Sequence, residues 1–228
     1  VKPEDFVGVM YNGIRKMNFK DFERKLRPSL GNLTLQPGFG DSMILAVTIY
    51  DIDMEKEIVY ISWGYGRRSN CIGDPLFTPY SRQHNTSYAP PQLWEEIGKL
   101  PHPLVEPFQT IYGDPNASKN EVLHQPLVNL LIEREDLSSI LKKHKVLFIG
   151  DAAHTWSNHA GTGGNNAILD GLELGKVLQE GKSPEEFYNK SYQRWKDSFG
   201  SNAKVFEDMI RPQAEWRLLI DSQNKRLG

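Results

Sequence analysis

From Gly150 to Asn165 the sequence GDAAHTWSNHAGTGGN sets one carboxylate, two imidazoles and four glycines into sixteen residues. Asp151 can accept hydrogen bonds from hydroxyl groups. Gly161, Thr162, Gly163, Gly164 and Asn165 can turn main-chain N–H groups toward a flat or anionic ligand, because glycine lets a group approach the backbone closely. A helix starting there would add the positive end of its dipole. His154 and His159 are conceivable metal ligands with Asp151, but no metal is expected. Their spacing does not put both imidazoles on one helix face, and a zinc site needs three or four ligands. His84, His102, His124 and His144 carry no signal. No Ser-His-Asp order or pair of carboxylates can be placed, so no side chain is assigned to catalysis.

These residues need a frame. Val146, Leu147, Phe148 and Ile149 form a continuous apolar run, which predicts a strand buried on both faces. After the glycines, Ile168, Leu172, Gly175 and Leu178 recur on one side of a helix. The order is therefore strand, glycine-rich turn, helix start.

This stretch resembles the second flavin-binding motif of the FAD-dependent aromatic monooxygenases, the single-component enzymes similar to p-hydroxybenzoate hydroxylase. The resemblance rests on GDAAH, on the loop Gly161-Thr-Gly-Gly-Asn165 and on Ala167-Ile-Leu-Asp170. It implies that Asp151 accepts a hydrogen bond from an FAD ribityl hydroxyl. It also implies that Gly161, Thr162, Gly163, Gly164 and Asn165 face the pyrimidine edge of the isoalloxazine. Reduced flavin is anionic there, and a helix N-terminus stabilises such charge by about 0.3–2 kcal/mol. The family usually has proline where this chain has Asn158, beside the edge at which oxygen adds; asparagine brings an N–H and freedom that proline lacks.

The same resemblance implies a fold and a reaction. The fold is α/β: an α+β substrate sheet, then the C-terminal part of a Rossmann-like FAD domain, ending in long helices. Residues 1–120 are expected to form the substrate-binding sheet domain, 121–182 the C-terminal part of the FAD-binding domain, and 183–228 the C-terminal helices. The implied reaction uses FAD, with NAD(P)H as reductant, to insert one atom of O2 into a small aromatic or secondary-metabolite substrate through a C4a-hydroperoxide. The family's opening G-x-G-x-x-G turn and its middle DG motif have no counterpart here. Activity is therefore expected to need an N-terminal nucleotide-binding half, in the same protein or a second chain. An isomerase or cyclase using only the shaped pocket, or a non-catalytic binding domain, stays open beside this reading.

The remaining sequence adds bounds. At 228 residues with 39% hydrophobic and 25% charged content the chain can bury a sizeable core. A net charge of −2 gives no footprint for nucleic acid or an anionic membrane. Cys71 is the single cysteine, which excludes an internal disulfide and fits a reducing compartment, so a cytoplasmic location is expected. No signal peptide and no spanning apolar run are read. A start at Val1 is expected of a fragment, a processed product or one piece of a cleaved protein.

The local patterns are plain. Residues 6–14 alternate as a strand, 19–30 carry a helical stripe ended by Pro28 and Gly31, and 42–50 with 57–65 predict a hairpin. On its first strand Met43, Leu45, Val47 and Ile49 make an apolar face, opposite a mixed one. Residues 67–91 read as a long loop, a lid or binding segment. Short helices are expected from Pro91 and from Val105 to Tyr112, an extended run from Glu121 to Val128, and a helical turn from Leu137 to Lys142. Ser183-Pro-Glu-Glu186 is a capping box opening a long helix. Tyr188, Tyr192, Trp195, Phe199, Phe206 and Ile210 form that helix's core stripe before Pro212, and an amphipathic tail over 213–226 follows.

Overall fold

The structure is a computed structural model that describes residues 4–5, 8–40, 42–69, 73–77, 90–100, 103–113, 122–124, 128–156, 161–212, 214–215 and 218. In chain order it has β1 (Glu4–Asp5), β2 (Gly8–Asn18), α1 (Phe19–Lys25), α2 (Arg27–Leu30), β3 (Leu35–Gly40), β4 (Met43–Asp53) and β5 (Ile58–Arg68). There follow α3 (Pro91–Gly98), α4 (Phe108–Tyr112), β6 (Val122–His124), β7 (Val128–Leu131) and α5 (Arg134–His144). A 3-10 turn at Gly150–Ala152, β8 (His154–Thr155), α6 (Gly163–Gln179) and α7 (Glu185–Met209) complete it. The fold is mixed α/β with an antiparallel sheet and long C-terminal helices. Among the described residues no helix is long and apolar enough to cross a membrane.

The chain divides into two compact units. One comprises Val7–Pro126 with Met209–Gly228, and the other Val1–Phe6 with Leu127–Asp208.

The first unit is built on a five-stranded antiparallel sheet in the order β3-β4-β5-β2-β6. The expected hairpin is β4–β5, with Val47 opposite Trp63. Alternation sends Met43, Leu45 and Val47 into the core and leaves Ile44, Ala46 and Thr48 half-buried on the other side. Phe22, Leu26, Leu93, Ile97 and Ile111 from the helices cover the core side. The stripe over 19–30 is two helices, because the chain breaks at Leu26 and Pro28 sits at the start of the second. β3 is an edge strand that carries Pro37, whose missing N–H is tolerated where no ladder partner lies beyond.

Polar groups pin the sheet at two points. The Tyr112 hydroxyl accepts from Ala46 N at 3.2 Å and donates to Ala46 O at 2.9 Å, with Gly64 O also in reach. At the end of β5, Arg67 forks onto both oxygens of Asp74 at 2.6 and 2.9 Å and also bonds Glu96 of α3. Hydrogen bonding from Arg67 holds the Asp74 carboxyl well below the usual carboxylate range. The expected lid over 67–91 lies mostly outside the described residues.

The second unit carries a small antiparallel sheet, β1-β7-β8. Leu137, Val177, Phe187, Tyr188 and Trp195 form its core. α5 spans Arg134–His144, longer than the helical turn expected from 137 to 142. Ser183 Oγ accepts from Glu185 N at 3.3 Å, a simple cap of the helix start, while Glu186 N donates to the Ser183 carbonyl at 2.9 Å rather than to its side chain as a capping box would have it. In the α7 stripe Tyr188, Trp195 and Phe206 are buried, while Tyr192 and Phe199 are only half-buried; Ile210, expected in the same stripe, is buried but lies past the end of α7, in the first unit.

One expectation is corrected. Among the described residues, 146–149 join no ladder, and Val146 is 44% exposed. Ile149 is extended, with φ −140° and ψ 164°. Backbone groups without a strand neighbour need other partners, and one hydroxyl serves both sides of Phe148. Phe148 N donates to Tyr188 Oη at 2.9 Å, and that hydroxyl lies 3.3 Å from Phe148 O.

Gly13 faces the Trp63 indole so closely that an added Cβ would lie 2.5 Å from its ring. Gly13→Ala is therefore expected to lose about 1–3 kcal/mol by overpacking, read from the midpoint of urea unfolding. Gly98→Ala, whose Cβ would meet nothing within 4 Å, is the control that should not lose stability.

Candidate functional site

The site begins with the turn after residue 149. Gly150 has φ +56°, and a Cβ there would stand 3.1 Å from the Ala167 side chain. Glycine alone fits both constraints without strain. The turn throws Asp151 outward as an exposed residue and sends Ala153 and His154 inward.

Opposite Asp151 is the start of α6. Its N-cap, Thr162, makes no side-chain capping bond. In the first turn of a helix several N–H groups have no intrahelical acceptor, and the dipole is positive there. Gly161 has φ +63°, and Cβ atoms added to Gly161 or Gly164 would meet nothing within 4 Å. A Cβ on Gly163 would lie 3.9 Å from Asp151 Oδ1. The structure thus brings Asp151 against the glycine-lined helix start, with Gly161, Gly164 and Asn165 exposed. An acceptor for hydroxyls stands beside the N–H groups of a first helical turn and, among the described residues, open space at the glycines.

Thr162 differs from its neighbours because its side chain looks inward. Its hydroxyl takes a hydrogen bond from Trp156 Nε1 at 3.2 Å and lies 3.1 Å from Asn202 Oδ1 of α7. Its carbonyl accepts from the Asn166 amide at 3.0 Å. Asn158 and His159 lie outside the described residues.

Below the turn is a cluster that sequence reasoning missed. The fully buried carboxylate of Asp170 receives four hydrogen bonds. They come from Gly150 N at 2.8 Å, His154 Nε2 at 2.7 Å, an Arg194 terminal nitrogen at 2.7 Å and Trp195 Nε1 at 2.9 Å. Burial by itself would raise the Asp170 pKa, but the bonds from His154 and Arg194, with those from Gly150 N and Trp195, hold it at about 2. An ionised carboxylate only accepts, so the His154 proton sits on Nε2. His154 Nδ1 has no hydrogen-bond partner among the described residues, and the ring lies between Trp156 and Trp195 at 5.1 and 4.4 Å. His154 is thus tied to Asp170 rather than turned toward Asp151. The available signal was a charged residue on an inward position of α6, four residues after Asn166.

A groove of about 660 Å³ along α5 and the start of α7, lined by Arg134, Lys142, Lys143 and Glu185, includes none of these residues.

Comparison with known proteins now bears on the geometry. Residues 129–187, which hold the turn and α6, match the family described as FAD binding domain. The chain is 31% identical to the FAD-dependent monooxygenase aptC of Emericella nidulans, over 99% of its own length and 55% of that protein's. It is 28% identical to the FAD-dependent monooxygenase nscC of Aspergillus fumigatus, over 96% and 54%.

The chain resembles the C-terminal part of the FAD-dependent monooxygenases.

It spans about half the length of these relatives. Two solved structures share the fold of this chain over about half of their own length. The 2,6-dihydroxypyridine-3-hydroxylase of Arthrobacter nicotinovorans has a TM-score of 0.66 at 16% identity, covering 92% of this chain and 53% of that one. A salicylate hydroxylase in a substrate complex has a TM-score of 0.63 at 14% identity, covering 100% and 55%.

The Asp170 network sets a pH dependence. The folded carboxyl is at about 2 and the unfolded one near its ordinary 3.8. Its stabilisation is therefore complete above about pH 4 and is lost as pH falls through 2. Asp170→Asn is expected to cost about 3–5 kcal/mol near neutrality. About 2 kcal/mol of that gap should vanish between pH 4 and pH 2, measured by denaturant unfolding of both proteins across that range.

Proposed function

We propose that this chain supplies the ring-edge and substrate-sheet portion of an FAD-dependent monooxygenase that hydroxylates a small aromatic or secondary-metabolite molecule. One oxygen atom of O2 enters the substrate and the other leaves as water, with NAD(P)H giving up two electrons. The observation that carries this reading is Asp151 set against the uncapped, glycine-lined start of α6, inside the region matching an FAD binding domain. The donor set fits the group: an exposed carboxylate for a ribityl hydroxyl, main-chain N–H groups for an electron-rich ring edge, and no Cβ in the way. Bound FAD would supply hydride acceptance and oxygen activation, chemistry that side chains lack.

The residues of this chain have narrower tasks. Asp151 accepts the hydroxyl. Gly161, Gly163, Gly164 and Asn165 present N–H groups, and the helix dipole stabilises negative charge beside them by about 0.3–2 kcal/mol. The Thr162 main chain lies in the same row, while its side chain anchors the loop. We assign residues 1–120 to the substrate sheet, 121–182 to the FAD side and 183–228 to supporting helices, with two exceptions at the borders: β1 pairs with β7, and β6 pairs with β2 of the five-stranded sheet. The names of the two solved hydroxylases, for salicylate and 2,6-dihydroxypyridine, support an aromatic substrate by analogy of fold. A nucleotide-binding half, joined or separate, completes the enzyme in this reading, and the single cysteine supports the cytoplasm as its compartment.

The test links this chain to the part of the Emericella nidulans relative that lies outside the match, and titrates the product with FAD. A visible flavin spectrum that survives gel filtration is expected. Asp151→Ala should weaken FAD binding about ten- to a hundred-fold, the loss of a charged hydrogen bond. A linked protein that stays colourless with excess FAD overturns the reading. An Asp151→Ala variant with unchanged affinity removes Asp151 from the site.

A further inference from the structure

Threonine is among the residues that most often cap a helix, its hydroxyl accepting from the N–H of the second or third helical residue. Thr162 stands at that position on α6 and makes no such bond. Its φ of −98° and ψ of −10° are helical rather than the extended values of a capping residue. Its hydroxyl is engaged on the inward side, donating to Asn202 Oδ1 at 3.1 Å and accepting from Trp156 Nε1 at 3.2 Å. Asn202 is 3% exposed, and its amide nitrogen donates to the Ser198 carbonyl at 2.7 Å, which fixes its oxygen toward Thr162. The helix start is held from its carbonyl side instead. The Thr162 carbonyl accepts from Asn166 N and from the Asn166 side-chain amide, both at 3.0 Å. Arg194 and Ser198 of α7 hold the Asn166 side-chain oxygen at 2.7 and 3.4 Å. These bonds order the first turn without consuming any of its N–H groups.

We propose that Asn202 is a positioning residue that withholds the Thr162 hydroxyl from the N–H groups of Gly164 and Asn165, so that the start of α6 stays open to an electron-rich ligand edge. Gly164 and Asn165 are the second and third residues of α6, where a capping hydroxyl binds. An N–H bonded to a hydroxyl must give up that bond before it can meet a ligand, so a cap competes with whatever the helix start receives. The residue choice fits withholding. Valine at 162 would leave the helix donors open, but it would also strip Trp156 Nε1 and Asn202 of a buried partner. Threonine satisfies both while turned away from the helix. The role toward FAD rests on the functional reading above; the withheld cap rests on the geometry of Thr162 alone.

Hydrogen exchange with water, read by NMR at Gly164 and Asn165 in this chain without FAD, tests the withheld cap. In Asn202→Ala the released hydroxyl is expected to cap the helix, slowing exchange at one of the two amides about fivefold. Adding Thr162→Val, which removes the hydroxyl, should abolish the slowing. Trp156→Phe frees the same hydroxyl from its other partner and should slow exchange likewise. A purely structural role would loosen the turn and speed exchange. Faster or unchanged exchange in both Asn202→Ala and Trp156→Phe overturns the proposal, as does slowing that survives Thr162→Val. The second arm uses the chain linked to the unmatched part of the Emericella nidulans relative. There Asn202→Ala should weaken FAD binding about five- to tenfold, and the double variant with Thr162→Val should bind more tightly than Asn202→Ala alone. Slowed exchange with unaltered FAD affinity overturns the role in ligand binding. A linked parent protein that stays colourless strikes down the functional reading instead, and the exchange result then decides the withheld cap by itself.

Discussion

The turn that presents Asp151 is held by one buried anion. The Asp170 carboxylate has no solvent exposure, and four donors converge on it from the turn, from β8 and from α7. A buried charge is costly unless it is fully bonded, so these partners are mutually dependent. Gly150 N cannot be held without the carboxylate, and the carboxylate is tolerable only with Arg194 and Trp195 in place. Glu173 extends the arrangement by accepting from Arg194 at 3.0 Å and from Ser191. The exposed turn and helix start thus rest on buried electrostatics about two helical turns along α6.

In the other unit close packing does the equivalent work. Gly38 against the Phe108 ring and the Tyr112 hydroxyl on two strands bring α4 close to the sheet, while Gly13 of β2 leaves room for the ring of Trp63, its partner on β5. The half-buried side of β4 and β5 then mixes Ile44 and Tyr60 with the small residues Ala46, Thr48, Ser62 and Gly64.

Much of this was legible in the sequence. The β4–β5 hairpin followed from two β-rich runs around a polar link, and the start of α7 from Ser183 and Pro184. The glycines and Asp151 declared themselves because short-range spacing brings them together. β3 was hidden, because Pro37, Gly38 and Gly40 read as a loop when the edge position that tolerates them is unknown. The Asp170 cluster was hidden for another reason. Arg194 is 24 residues away in sequence, and no periodicity announces that pairing. Residues 146–149 show the converse: an apolar run reads as a buried strand, yet among the described residues it joins no ladder.

α7 touches both ends of the first half of α6. Asn202 meets Thr162, while Arg194, eight residues earlier and about 12 Å along the axis, grips Asn166 and Asp170. The Thr162 edge of the helix start is therefore splinted by α7. Freezing a loop normally consumes part of the free energy of association; were the proposed site to take a ligand, that entropy would already have been surrendered during folding.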